Sequence, residues 1–280
     1  MPNWLIHLGL PYIAAKLLRI KNVRLVLLGA IIPDIARLGV LIRKFTYIGQ
    51  VNTFSYLEPF HSPFMFLLIA LTISLLSKQS KKAMQLLVFG GATHFFLDAL
   101  EKNFGFMKFL FYPFILKTFS FQLFWPESSI SILIMAVSTV AILYAITDKK
   151  KISYGFKTKN LKIVLPLIIF TLLLPLATQA WVKGNLPYIT QFKENKDTLA
   201  FSYSDIISTN PLIVRELDFT YEVITDIPLR EGDVISMQAD LKDNKVHPTK
   251  AHIHKDILKF EASILALFIF AFIWFTSKKK

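Results

Sequence analysis

The chain has 280 residues, 54% of them hydrophobic and 26 of them Phe, with a formal net charge of +13 and no Cys. That apolar share exceeds the roughly 45–50% of soluble domains, and the lack of Cys excludes disulfides, thiolate metal ligands and a Cys nucleophile. The basic residues cluster at the ends of apolar blocks, so the charge reads as membrane topology and nucleic acid is not an expected partner.

In chain order, the apolar blocks fall at about 3–18, 24–42, 61–77, 83–100, 104–124, 128–147, 161–182 and 258–276. Most have the length a helix needs to cross about 30 Å of hydrocarbon. The start, Met1-Pro2-Asn3-Trp4-Leu5-Ile6-His7, lacks the basic region and small-residue site of a cleaved signal and is expected to be retained. Lys16, Arg19, Lys21 and Arg24 separate the first two blocks, and Lys78, Lys81 and Lys82 join the third and fourth. Lys149, Lys150, Lys151, Lys157 and Lys159 follow the block ending near 147, and Lys278, Lys279 and Lys280 close the chain. All these clusters lie on one side only if block 104–124, with Pro113, Lys108 and Lys117, does not cross. The expected fold is therefore a polytopic α-helical membrane protein with about seven crossings and one interfacial or re-entrant element. It lies in the plasma (inner) membrane, N-terminus outside and C-terminus cytoplasmic.

Residues 183–257 are polar and alternate as strands do, as in Leu217-Asp218-Phe219-Thr220-Tyr221-Glu222-Val223 and Asp233-Val234-Ile235-Ser236-Met237-Gln238-Ala239. Glu231-Gly232-Asp233 reads as a turn, and Thr249 to Ile253 as a further strand. This stretch predicts a small all-β domain, resembling an OB-type barrel, on the outer face. The organisation is a helical site domain over 1–150, a linker and helix over 151–182, the β-domain over 183–257, and a helix with basic tail over 258–280.

His7, Asp34, His61, His94 and Asp98 interrupt the apolar blocks. A charge at the centre of a membrane helix costs roughly 2.5–3.5 kcal/mol on insertion scales, so such residues are read as functional by default. His94 and Asp98 are four apart and share a helix face. Gly90, Gly91 and Ala92 before them allow a neighbouring helix to approach closely. Pro33 kinks the chain before Asp34, and His61 opens its block beside Ser62 and Pro63. The topology puts all five between the bilayer midplane and the outer face, as one site requires. Imidazole and carboxylate suit Zn²⁺, and also Mn²⁺ or Fe²⁺; about five ligands allow one or two ions. A bound ion brings the pKa of its water near 7 and provides a hydroxide nucleophile.

The pattern His7, Gly29-x-x-x-Pro33-Asp34, His61-Ser62 and Gly91-x-x-His94-x-x-x-Asp98 resembles the bacterial and archaeal membrane-bound metal-dependent hydrolases, sometimes labelled LexA-binding inner-membrane proteins. The resemblance covers about residues 1–150. It implies that His7, Asp34, His61, His94 and Asp98 are metal ligands; Asp34, His94 and Glu58 are the candidate catalytic residues. Its likeness to zinc-dependent phospholipase C implies an ester or phosphoester, lipid-like substrate. Family members carry a His-Arg-x-x-Thr-His-Ser segment, whereas this chain has Tyr56-Leu57-Glu58-Pro59-Phe60-His61-Ser62, without the first His and the Arg. Glu58 is a candidate oxygen ligand or general base, and Arg37 a candidate phosphate ligand.

Simpler readings stand beside this one. His94 and Asp98 can neutralise each other within their helix, and Asp34 can pair with Arg37. His252 and His254 share a strand face near His247, but no carboxylate pattern accompanies them in the sequence. A transporter or proton-coupled channel could use the same His and Asp set as an ion path. A non-catalytic scaffold could display the β-domain to a protein partner. No Gly-x-Ser-x-Gly elbow, P-loop or dinucleotide fingerprint is present.

Overall fold

A computed structural model describes residues 3–35, 50–102, 111–116, 120–147, 160–185, 198–216, 218–243, 245–254 and 259–275. Its helices are α1 (Trp4–Leu17), α2 (Val23–Ile31), α3 (Gln50–Leu57), α4 (Pro63–Leu75), α5 (Ser80–Leu100), α6 (Ser129–Thr147), α7 (Leu161–Gly184) and α8 (Lys259–Phe275). Single 3₁₀ turns follow α2 (Ile32–Asp34) and α3 (Glu58–His61).

The seven crossings expected from hydropathy are not supported. Among the described residues, three helices, Ser80–Leu100, Ser129–Ile146 and Leu161–Gly184, are long and apolar enough to span. Val51–His61 and Pro63–Leu75, bent by 65° at their junction, make a fourth if taken as one span. By contrast, α1 has 14 residues and α2 has nine, or about 21 Å and 14 Å of helix against about 30 Å of hydrocarbon. They are apolar because they are packed among other helices. Leu8, Ala15 and Val26 are completely buried, and together with residues of α4, α5, α6 and α8 they form one core. Exposed Ile132, Leu133 and Val140 on α6, with Ile163, Leu165 and Leu172 on α7, are the faces left for lipid. The described part of block 104–124 is turn and extended chain, with Tyr112 buried and its hydroxyl 2.7 Å from Thr178 Oγ1 of α7.

The tightest helix contact is between α2 and α5, and glycine makes it. A Cβ on Gly90 would lie 2.0 Å from the Val26 carbonyl oxygen, and one on Gly29 2.1 Å from the Leu87 carbonyl oxygen. The two backbones therefore touch, which carries the end of α2 to the last turns of α5. Local caps fix the other entries. The Asn3 side chain accepts from the Ile6 amide at 3.1 Å, and Ser62 Oγ accepts from the Met65 amide at 3.2 Å.

The β-domain is a five-stranded antiparallel half-barrel of β1 (Thr198–Thr209), β2 (Leu212–Glu216), β3 (Phe219–Glu222), β4 (Val234–Lys242) and β5 (Lys245–His254), in the order β3-β2-β1-β4-β5. A parallel bridge, Val223 to Val246, brings the far ends of the sheet together. Ile235, Met237 and Ala239 alternate into its core with Leu199, Phe201 and Val214. Gly232, at φ +86, makes the turn expected at Glu231-Gly232-Asp233.

Candidate metal centre

The five polar residues meet at one point. His7 comes from the first turns of α1, Asp34 from the turn after α2, His61 from the turn before α4, and His94 and Asp98 from the end of α5. None is more than 3% exposed. His61 Nε2 lies 2.9 Å from His94 Nε2, 3.0 Å from Asp98 Oδ2 and 3.4 Å from Asp34 Oδ1. His7 Nε2 is 3.4 Å from Asp98 Oδ1, and the His7 ring stacks on His94 with centroids 4.0 Å apart. His94 Nε2 is 3.6 Å from Asp98 Oδ2 and 3.9 Å from Asp34 Oδ1. Two three-ligand groups result, His7/His94/Asp98 and Asp34/His61/His94, with His94 in both.

The surroundings orient these atoms. His94 Nδ1 lies 2.7 Å from the Ala30 carbonyl. A carbonyl only accepts, so Nδ1 carries the proton and Nε2 turns its lone pair to the cluster. The close crossing at Gly29 and Gly90 supplies that carbonyl. Trp4 Nε1–H donates to Asp34 Oδ2 at 2.8 Å, which leaves Oδ1 towards His61 and His94. Backbone or polar groups holding the far side of each ligand are what metal sites use.

The residues fit a divalent cation. Neither ring nitrogen of His7 has a hydrogen-bond partner among the described residues, although the ring is fully buried. Three imidazoles and two carboxylates are a ligand set for Zn²⁺, Mn²⁺ or Fe²⁺. One simpler reading loses ground here. His94 and Asp98 are not an isolated pair, because His61 and His7 are also in reach of Asp98.

Other expected residues fare differently. Glu58 is buried in the same turn as His61, but neither ligand group includes it. Arg37 lies outside the described residues. Tyr56, standing where the resemblance has a further His, donates from its hydroxyl to the Leu172 carbonyl of α7 at 3.3 Å. His252 and His254 have the carboxylate that the sequence did not suggest, Glu127, while His247 belongs to no three-ligand group among the described residues. Burial works to raise the Glu127 carboxyl, but hydrogen bonds from His254 and His252 outweigh it and hold it at about 2. Trp4, Ala30 and Glu127 were the site residues sequence reasoning missed, and only the proximity of Trp4 to His7 offered any signal.

A bundle of short and spanning helices around a buried His/Asp cluster, with a β half-barrel appended, defines a polytopic membrane protein with a candidate metal centre. Residues 5–184 match the family described as YdjM inner membrane protein, and the chain belongs to that family. No curated protein and no solved structure matches the chain.

Proposed function

We propose that the protein is a membrane-embedded metal-dependent hydrolase acting on an ester or phosphoester of a lipid-like substrate. The observation that carries this is the convergence of three imidazoles and two carboxylates, from four separate segments, in a fully buried place. A divalent cation, most simply zinc, supplies Lewis-acid activation of water and of a substrate oxygen when bound. His7, Asp34, His61, His94 and Asp98 hold it. The Ala30 carbonyl and Trp4 indole keep His94 and Asp34 aimed. In this reading Glu58, in the same turn as His61, would take a proton from the attacking water, and Arg37 would meet a phosphate.

The orientation follows the same reading. Lys21 and Arg24 share a recess with Ala145 of α6 and Ile273 of α8, and Lys78, Lys81 and Lys82 flank the start of α5. One end of the bundle is basic, and the β-domain emerges from the other, between α7 and α8. With the basic end cytoplasmic, the cluster sits in the outer half of the bilayer beneath the β-domain. The strand order and the β3–β5 bridge support an OB-type barrel there.

The ion-path reading has less behind it, because α2 carries no ionisable residue between Arg24 and Asp34, and α5 none between Lys82 and His94. The turning away of Tyr56 favours a second reading, a metal-holding scaffold without turnover. Hydrolysis of phosphodiester and carboxylic-ester lipid analogues by the detergent-purified, zinc-loaded protein separates the two. The hydrolase reading expects turnover that chelation and Asp34→Ala both abolish. Metal-loaded protein with no activity above the Asp34→Ala background on either class leaves the scaffold.

A further inference from the structure

A second group of ligand-type side chains converges where the β-domain meets the bundle. Glu127 stands just before α6, and His252 and His254 alternate along β5 so that both project from one face. His252 Nε2 and His254 Nδ1 both close on a single oxygen, Glu127 Oε1, the latter at 2.8 Å. The other oxygen, Oε2, is buried with no hydrogen-bond partner among the described residues. A simple hydrogen-bonded latch would share two donors between two oxygens, since a buried carboxylate oxygen left unserved is costly. One ligand atom from each of Glu127, His252 and His254 also lies within 4.8 Å of the other two, close enough for all three to share one ion.

We propose that Glu127, His252 and His254 hold a divalent cation of the zinc class, which clamps β5 to the segment leading into α6. Both histidines are braced for this. Ser236 Oγ lies 2.7 Å from His254 Nε2, so that nitrogen has a partner while Nδ1 faces the ion. The indole of Trp125 stacks flat on His252, 3.9 Å between centroids and 4° between planes. Zinc bonds of about 2.0–2.1 Å in tetrahedral geometry separate ligand atoms by roughly 3.3 Å. The His254–Glu127 pair reaches that by opening about 0.5 Å from its 2.8 Å. The side chains of His252 and Glu127 are 26% and 16% exposed, so the fourth position opens to water and metal can enter. Both histidines lie beyond the residues matched by the family.

The clamp has a reason to exist. The chain just before Glu127 lies on the end of α5, with the Phe121 and Leu123 amides donating to the Ala99 and Leu100 carbonyls at 2.6 Å and 2.9 Å. An ion at Glu127 therefore ties the β-domain to the strip that covers the last turn of the helix bearing His94 and Asp98.

The test uses the full chain in detergent, carrying Asp34→Ala and His94→Ala so that the buried cluster contributes no metal, and titrates it with Co²⁺. The expected result is one equivalent bound, with the visible bands of a tetrahedral site, displaced by Zn²⁺. Affinity falls at least ten-fold with Glu127→Gln or His252→Ala and is unchanged with His247→Ala. No binding in the Asp34→Ala/His94→Ala protein, or binding indifferent to Glu127→Gln and His252→Ala, overturns the proposal and leaves a hydrogen-bonded latch. Should that background not fold, the wild type serves, with the loss of one zinc equivalent in His252→Ala as the expected result and an unchanged zinc content as the refuting one. Neither outcome depends on whether the buried cluster is catalytic.

Discussion

Replacing Gly90 by Ala places a methyl carbon 2.0 Å from the Val26 carbonyl oxygen and 2.8 Å from the Ala30 nitrogen. Ordinary contact begins near 3.4 Å, so α2 and α5 must separate by about 1.4 Å at this crossing. Overpacking of this kind costs about 1–3 kcal/mol. The more telling effect is on the site. The same crossing presents the Ala30 carbonyl to His94 Nδ1 at 2.7 Å. A separation of that size along the bond takes it to about 4 Å, beyond hydrogen-bonding range. His94 then loses the contact that fixes its tautomer and ring plane. Loss of such a support lowers metal affinity by roughly 10–100-fold, or about 1.4–2.7 kcal/mol. The assay is a competition titration with a zinc chelator on detergent-purified Gly90→Ala protein, in a His252→Ala background so that only the buried cluster is read. Zinc affinity within two-fold of the parent would refute the argument that the glycine crossing builds the site.

Other predictions follow from the same geometry. Trp4→Phe keeps an aromatic side chain but removes the five-membered ring whose N–H holds Asp34 Oδ2; metal affinity should fall about ten-fold by the same titration, and no change would mean that the indole has no part in aiming the carboxylate. Asn3→Ala and Ser62→Ala each remove an N-cap beside a ligand-bearing turn and should lower thermal stability by about 1 kcal/mol, read by a melting curve in detergent. Gly184→Ala meets nothing within 4 Å and should leave both melting and metal content unchanged. Arg215→Ala breaks an ion pair with Asp205 whose partners are about half exposed; its effect on the melt should stay within about 0.5 kcal/mol.

Much of the site was readable because the membrane context makes its residues conspicuous. His7, Asp34, His61, His94 and Asp98 stand out among apolar neighbours, and the four-residue spacing of His94 and Asp98 alone places them together. Gly90 was readable as a close-approach position, and the strands around 219–222 and 234–242 as alternation. The number of crossings was not. Hydropathy cannot distinguish a helix bathed in lipid from one buried among other helices, and α1 and α2 are of the second kind. Nor were the oriented supports, since an Ala30 carbonyl carries no residue-type signal. Glu127 and His252 are 125 positions apart, and only the placing of β5 against the start of α6 brings them together.

The central claim is that the buried imidazoles and carboxylates form a metal centre. Elemental analysis of the detergent-purified wild type beside the Asp34→Ala/His94→Ala double variant tests it most directly. The account predicts a stoichiometric transition metal in the wild type, with at least one equivalent per chain missing from the double variant. Equal metal content in the two proteins, with both folded, would contradict it.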